Sequence, residues 1–230
     1  MEILTLKQQE IIFKKILSNH FKGRGCVYFH EYQNSNFRFF KDNTLEQFTI
    51  YGLTSSKCHS FVHEFAFLDI EDLILEIGLP NTELSIYKAK KHYLLTVRNN
   101  QINLTYNTEE RSVQTEQDCI DYCQSIIAYM ETDGEAFVEK YSYLPNVLKE
   151  MNRLAAEGKY WNGMYGKGGI LTGGFDSNFR GLIISKLCND TDYEKKLDWI
   201  ERRAIENEKW LPYFERLKER LKSVEPIYNV

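Results

Sequence analysis

The glycines between Tyr160 and Gly181 are the first residues of the sequence that suggest a chemical function. They lie in the segment YWNGMYGKGGILTGGFDSNFRG. It holds seven of the chain's 13 glycines, and glycine-rich loops hold phosphate groups with their backbone amides. A P-loop requires two glycines five positions apart, followed by Lys and then Ser or Thr, because the hydroxyl reaches the magnesium ion. Here Gly168 follows Lys167, and Trp161 stands where the first glycine belongs. The segment therefore does not match a P-loop.

The dinucleotide-binding fingerprint fits this glycine-rich segment no better. Gly166 and Gly168 would supply its first two glycines, but Leu171 stands where the third belongs. The fingerprint also follows a strand, whereas a helix is predicted before this segment. We therefore do not expect a nucleotide to bind here.

The glycine-rich segment also carries large side chains, which suit protein recognition because they offer contact area with few rotatable bonds. In that hypothesis Trp161 and Tyr165 are anchors, and Lys167 and Arg180 are charges at the rim of the contact. In the alternative, Trp161 and Phe175 fix a structural connection to the helical core. Functional residues concentrate in loops longer than the usual connection, and the sequence leaves both readings open.

The histidines suggest a metal site, because all five lie in the first 92 residues. On a strand, His59 and His63 would point to the same face, and Cys58 is adjacent. However, HEFAF is not the HExxH pattern of zinc proteases, since Phe67 stands at its fifth position. The two histidines share their face with Phe61, so a packed face of a sheet is the simpler interpretation. We assign no metal and no cofactor.

The cysteines give no sign of catalysis. Five are scattered along the chain, unlike the dense, even framework of a small secreted protein, which favours reduced thiols. Cys119 and Cys123 fall on the apolar stripe of a predicted helix beside Asp118 and Asp121, whereas a reactive thiol needs an electropositive setting. We find no G-x-S-x-G motif and no paired-carboxylate signature, so no catalytic residue is assigned.

The first predicted element is a helix, which Thr5 can cap and which carries Ile12 and Ile16 on one stripe. Up to about residue 107 the chain then alternates short apolar runs with turn residues. Asn99-Asn100 lies between two such runs and predicts a tight hairpin. The predicted strands are CVYFHEYQ, NFRFFK, EQFTIYG, HSFVHEFAFL, HYLLTVR and QINLTYN.

Helical periodicity replaces this strand pattern after residue 110. Thr115 and Asp118 form an approximate capping box, and Thr191 and Glu194 form a second one. One earlier helix interrupts the strands. The predicted helices include Asp69 to Ile77 before Gly78, one that follows Thr115, Gly134 to Tyr143, Asn146 to Ala156, one that follows Thr191, and one that restarts at Pro212.

This order predicts an α+β fold, in which an N-terminal helix and an antiparallel sheet of five or six strands precede a helical C-terminal half. The chain has 230 residues, of which 43% are hydrophobic and 14% aromatic. This is enough to bury a sizeable core. We expect a single domain over residues 1–230, with a sheet-rich region at 1–110 and a helical region at 111–230.

Charge and hydropathy limit the partners. A formal net charge of −4 gives no long-range attraction to nucleic acid or anionic lipid. Apolar runs are far shorter than the roughly 20 residues that span a bilayer, and the first residues lack the features of a secretion signal. We therefore expect a cytoplasmic protein that binds neither nucleic acid nor membrane. The oligomeric state stays open.

Three pieces of the helical half read AFVEKYSYLPNVLKEMN, NFRGLIISKLCNDTDYEKKLDWIERRA and YFERLKERLKSV. Over roughly the last 95 residues the chain resembles bacterial domains of unknown function, some of which are similar to immunity proteins of polymorphic-toxin loci. The match is one of helix patterns, and the glycines between Gly158 and Gly174 depart from it. The resemblance implies a protein that occludes the active site of a toxin by binding it.

These observations together predict a non-enzymatic cytoplasmic protein-binding module of the immunity-protein kind. Its partner would be a protein such as a toxin, contacted through Trp161, Tyr165, Lys167 and Arg180. The alternative is a small-ligand protein or metal-dependent enzyme with a pocket between sheet and helices, in which His59, His63 and Cys58 would take part.

Overall fold

The computed structural model describes residues 3–52, 59–108, 112–162 and 168–230. Within them an N-terminal helix and a five-stranded antiparallel sheet, in the order β1-β2-β3-β4-β5, precede a helical C-terminal half. The predicted α+β class is therefore confirmed. The strands are β1 (Val27–Glu31), β2 (Asn34–Lys41), β3 (Thr44–Gly52), β4 (His59–Phe67) and β5 (Val97–Arg98). The helices are α1 (Leu6–His20), α2 (Leu68–Ile77), α3 (Ser85–Lys88), α4 (Glu116–Met130), α5 (Asp133–Tyr141), α6 (Leu144–Ala156), α7 (Asp176–Leu187), α8 (Tyr193–Glu206) and α9 (Leu211–Leu221).

Two helix starts follow from their capping residues as predicted. Thr5 accepts a hydrogen bond from the backbone N–H of Gln8, whose side chain bonds back to the N–H of Thr5. Thr115 and Asp118 form the same reciprocal box at the start of α4. Each box pairs backbone groups that the first turn of a helix leaves without an intrahelical partner.

The first three strands form two tight hairpins. Phe37 of β2 lies opposite Phe48 of β3, and their rings stack 4.7 Å apart. Tyr32 and Asp42 stand in the turns with positive φ angles of 53° and 51°, which match the right-handed twist of the flanking strands. The predicted β1 to β4 are therefore confirmed to within a few residues.

The hairpin predicted at Asn99-Asn100 is wrong. Only Val97–Arg98 is a strand on its first side, and the QINLTYN run on its second side is not a strand in the structure. Val97 instead forms an isolated antiparallel bridge with Leu171, and the N–H of Arg98 donates to the carbonyl of Ile170 at 2.8 Å. The partner of this strand therefore comes from a segment far along the chain, which local pattern does not reveal.

Two features of the helical half also differ from prediction. The second capping box is wrong, because α8 begins at Tyr193 after Asp192 and has no side-chain cap. Helix α7 was not predicted, since it is buried on every side and carries no polar stripe to mark its period.

By its internal contacts the chain divides into two compact units, each made of two segments. Unit 1 comprises Met1–Phe65 and Gln101–Glu139, and unit 2 comprises Ala66–Asn100 and Lys140–Val230. Neither coincides with the sheet-rich region 1–110 or the helical region 111–230. None of the described helices combines the length and apolar character that crossing a bilayer requires.

Each unit has its own core. In unit 1 helices α1 and α4 pack together, and aromatic side chains from α1, the sheet and α4 form one buried cluster. In unit 2 helix α7 is central and contacts α2, α6, α8 and α9. Its Phe179, Leu182, Ile183 and Ile184 are fully buried.

Candidate functional site

Two of the four residues predicted to bind a partner, Trp161 and Arg180, lie among the described residues of unit 2. Tyr165 and Lys167 lie outside the described residues. Both described side chains are in the interior, with exposed fractions of 5% for Trp161 and 1% for Arg180.

Trp161 packs against α7 and α8. Its ring meets that of Trp199 edge to face at 5.7 Å, and its carbonyl accepts a hydrogen bond from the N–H of Leu171 at 2.8 Å. On its other side the indole lies against the backbone of Gly181, where an added Cβ would overlap the ring. Glycine is thus required in the middle of α7 so that this ring can pack there.

A cavity of about 540 Å³ opens beside these two tryptophans. We call it the tryptophan groove, and its size is typical of ligand pockets. It is lined by Ala155, Gly158, Lys159, Tyr160, Trp161, Asp192, Lys195, Lys196 and Trp199. Trp161 is buried below it, whereas Trp199 is partly exposed and Tyr160 is 48% exposed. The groove therefore offers aromatic surface to a binding partner.

The cations around the groove are already paired or stacked. Arg203 lies over the ring of Trp199 at 4.7 Å and over that of Tyr160 at 5.3 Å. Each lysine of the lining has a carboxylate partner. The pairs are Lys159 with Glu157, Lys195 with Asp192, and Lys196 with Asp190. The groove thus carries little uncompensated charge, and its aromatic walls dominate its chemistry.

Arg180 belongs to an internal ion-pair network. Its Nε and Nη2 donate to the two carboxylate oxygens of Glu71 at 2.8 and 2.7 Å, and its Nη1 donates to Asp176. Thr96 adds a hydrogen bond from its hydroxyl to Glu71 at 2.7 Å. Burial lowers the pKa of Arg180, but Glu71 and Asp176 raise it by more, so the guanidinium stays charged.

The sequence suggested that Arg180 is a charge at the rim of a contact surface. This prediction is wrong, because the network holds Arg180 inside unit 2. A partner-binding role for Trp161, Tyr165 and Lys167 stays a prediction. The groove adds Trp199 and Tyr160, which are more exposed than Trp161.

The two histidines on β4 share a packed face of the sheet, as predicted. His63 is fully buried, with Nδ1 at 3.0 Å from the hydroxyl of Tyr129 and Nε2 at 3.1 Å from Glu46. Arg24 donates to the other oxygen of Glu46 at 2.9 Å. Both ring nitrogens of His63 are thus occupied by hydrogen bonds.

The metal-site hypothesis gains no support from the residues that the structure describes. There, no three His, Cys, Asp or Glu side chains lie close enough to hold an ion. Cys58, the third residue of that hypothesis, lies outside the described residues.

His59 differs from His63, because one of its buried nitrogens is unpaired. Its side chain is 3% exposed, its ring meets Phe13 edge to face at 5.3 Å, and Nδ1 has no hydrogen-bond partner among the described residues. Burial lowers the pKa of His59 to about 4, so the ring is neutral at neutral pH. Leaving such a polar atom unpaired costs about 1–3 kcal/mol.

His59 lines a cavity of about 520 Å³ between α1 and the strands of unit 1. We call it the unit 1 cavity. Its lining comes from α1 (Leu6, Lys7, Glu10, Phe13), from the β1-β2 hairpin (His30, Tyr32, Gln33, Ser35) and from β3 and β4 (Ile50, Gly52, His59). Apolar and hydrogen-bonding side chains therefore share its wall.

A chain of hydrogen bonds fixes Glu10 on this wall. The hydroxyl of Tyr28 donates to Oε1 of Glu10 at 2.7 Å and lies 3.4 Å from the hydroxyl of Ser35, and Nδ1 of His30 lies 3.2 Å from Oε1 of Glu10. Burial raises the pKa of Tyr28, which keeps the phenol protonated and able to donate. Within the described chain Oε2 of Glu10 accepts no hydrogen bond.

The cysteines predicted to be inert are buried. Cys119 and Cys123 on α4 are fully buried, and burial raises the pKa of Cys119 to about 12. Both thiols are therefore protonated at neutral pH, and a protonated thiol is a poor nucleophile.

The polar residues of the unit 1 cavity were not predicted from the sequence. Glu10 is the only acid among four charged residues on α1, and His30 lies in the hairpin that follows. The turn at Tyr32 gave no signal either, because the sequence places Tyr32 within the predicted strand CVYFHEYQ. Nothing in the sequence pairs α1 with that hairpin, so the cavity could not be foreseen.

The comparisons with known proteins add no relative. No family model, no curated protein and no solved structure matches the chain. The function must therefore be inferred from the residues around the two cavities.

Proposed function

We propose that the protein acts by binding another protein, and that the tryptophan groove of unit 2 is its contact surface. The observation that carries this proposal is the pair Trp199 and Tyr160, which stand partly exposed on the walls of a groove above the buried Trp161. Tryptophan and tyrosine dominate the energetics of protein interfaces, because they bury large areas at a small entropic cost.

The groove selects a partner by shape and apolar surface rather than by charge. Its lysines are already paired with carboxylates, and Arg203 is stacked on Trp199 and Tyr160. We therefore expect the partner to insert an apolar or aromatic side chain between Tyr160 and Trp199. The lysine N–H groups would then form a polar rim, as is usual around the core of an interface.

The immunity-protein resemblance agrees with this location. Two of its three pieces, from Asn178 to Ala204 and from Tyr213 onward, belong wholly to unit 2, and the first of them contains Lys196 and Trp199 of the groove. An immunity protein inactivates a toxin by occluding it. In this proposal a protein partner such as a toxin is held at the groove, and no chemical step is required of this chain.

The test uses purified proteins encoded beside this gene, each measured for binding to the full chain by titration calorimetry. One of them should bind, and Trp199→Ala should weaken that binding by about 2 kcal/mol or more, or about 30-fold. Tyr160→Ala should weaken it too. Tyr143→Ala is the matched control, since Tyr143 is a 51% exposed aromatic of unit 2 outside the groove.

Two results would contradict the proposal. One is that no protein encoded beside the gene binds. The other is that Trp199→Ala and Tyr160→Ala, shown to be folded by circular dichroism, bind the partner as tightly as Tyr143→Ala does.

A further inference from the structure

The polar chemistry of the unit 1 cavity is unused by the protein-binding role, and three features of its wall are available to a ligand. Nδ1 of His59 is buried without a hydrogen-bond partner among the described residues. Oε2 of Glu10 accepts no hydrogen bond there. Tyr32, which also lines the cavity, exposes 87% of its surface.

These features surround a space of ligand size. The cavity of about 520 Å³ lies in the range of about 300–1,000 Å³ that small-molecule sites occupy. Phe13 and Ile50 supply apolar wall, whereas Glu10 and His59 supply polar wall. Such a combination orients a ligand that has a flat apolar body and a polar edge.

The position of Tyr32 adds an indication of a planar ligand. Its φ of 53° is a left-handed conformation, which a bulky residue rarely adopts. The turn nevertheless holds this aromatic ring at the cavity, largely uncovered by the protein. An exposed ring is a stacking surface for another ring.

The hydrogen-bonding groups define the edge of that ligand. Glu10 is held by Tyr28 and His30 through Oε1, so its other oxygen is a fixed acceptor for an N–H group. His59 is neutral at neutral pH because burial lowers its pKa to about 4. It therefore offers one donor and one acceptor rather than a positive charge.

We propose that the unit 1 cavity binds a free nucleobase or nucleoside, with its N–H edge on Glu10, a polar group facing His59 and its ring stacked on Tyr32. A nucleobase combines a planar π-surface with N–H donors and ring acceptors, which is the chemistry that this wall lacks. The ligand is a free molecule rather than a nucleic acid, since the chain's net charge of −4 gives no attraction to a phosphate backbone.

The experiment is titration calorimetry of the full chain near neutral pH with adenosine, guanosine, cytidine and uridine in turn. At least one should bind with one site per chain and a Kd below about 1 mM. Glu10→Gln should weaken that binding at least about tenfold, because an amide presents only one acceptor oxygen. Glu131→Gln is the matched control, since Glu131 also pairs with a histidine, His20, but lies outside the cavity. Its affinity should be that of the unaltered chain.

Two further variants keep the proposal testable if Glu10→Gln does not fold. His59→Phe keeps a ring of similar size while it removes both nitrogens, and Tyr32→Ala removes an exposed ring. Each should weaken binding at least about tenfold. The proposal is overturned if none of the four nucleosides binds, or if the folded variants bind as the unaltered chain does.

Discussion

One buried polar side chain of unit 2, Arg180, and one of unit 1, His59, differ in how their hydrogen-bonding groups are satisfied. In unit 2 Arg180 is 1% exposed, and Glu71 and Asp176 occupy all three of its nitrogens. In unit 1 His59 is 3% exposed, but one of its ring nitrogens has no partner among the described residues and the side chain borders a cavity. Buried polar groups are almost always hydrogen-bonded to protein or to ordered water in folded proteins, so a fully paired group indicates a structural role, whereas an unpaired one beside a cavity leaves a place for water or for a ligand.

This contrast also separates residues that the sequence presents alike. Arg180 was a candidate for binding because it lies beside glycines, and His59 was a candidate for metal because it lies near His63. Their hydrogen-bond partners distinguish them better than their residue types do. Arg180 and His63 are satisfied within their own units, whereas His59 is not.

The largest expected effect comes from breaking the satisfied network. Arg180→Met should destabilise the protein by about 3–5 kcal/mol, because it leaves the carboxylate of Glu71 buried without a cation. Urea denaturation followed by circular dichroism measures this change. The matched control is Arg153→Met, since Arg153 pairs with Glu150 and Glu157 at an exposed position.

For Arg153→Met we expect a much smaller loss, because ion pairs at exposed positions contribute little to stability. Equal effects of the two substitutions would show that the burial of Arg180 does not matter to stability.

A second effect follows from the protonation of His59. Because its folded-state pKa is lowered from 6.5 to about 4, the unfolded chain binds a proton more readily between these pH values. Above about pH 6.5 the ring is neutral in both states, and the contribution of His59 to the free energy of unfolding is fully present. As the pH falls towards 4, this contribution is lost, and the free energy of unfolding decreases by about 3 kcal/mol.

His59→Phe should therefore lose less stability than the unaltered chain when urea denaturation is repeated from neutral pH down to about pH 4. Its stability at neutral pH should be unchanged or slightly higher, since it removes an unpaired polar atom. Identical pH dependence of the two proteins would show that His59 does not titrate with a lowered pKa.

A smaller effect is expected from adding a methyl group at Gly181, where α7 lies directly against the ring of Trp161. Gly181→Ala should gain up to about 1 kcal/mol of helix propensity but should lose more by overlap with the indole, for a net destabilisation of about 1–3 kcal/mol. Gly23→Ala is the control, because no atom lies within 4 Å of the added methyl group. A stabilised Gly181→Ala protein would mean that Trp161 does not pack on α7.

Much of the fold could be predicted from local signals. Strands β1 to β4 are read from alternation and turn residues, and α1 and α4 from capping boxes at Thr5 and Thr115. The elements that failed depend on distant partners. Val97 is a strand residue because Leu171 pairs with it, and α7 is hidden because every side of it is buried.

The residues of the two candidate sites were harder to predict from the sequence than the fold was. The shared face of His59 and His63 follows from strand periodicity, but their different hydrogen bonds depend on Glu46 and Tyr129, which lie far from them in sequence. Trp199 was not singled out, since it lies on a highly charged helix where a single aromatic residue has no distinctive pattern. Its importance comes from its contact with Trp161.

We propose above all that the protein binds a partner protein through the tryptophan groove of unit 2. To test this, a partner encoded beside the gene is titrated side by side into Trp199→Ala and into the control Tyr143→Ala, whose exposed ring lies outside the groove. We predict that Trp199→Ala weakens binding about 30-fold or more, whereas Tyr143→Ala leaves it unchanged. Unchanged binding by a folded Trp199→Ala protein, or the absence of any such partner, would contradict the claim.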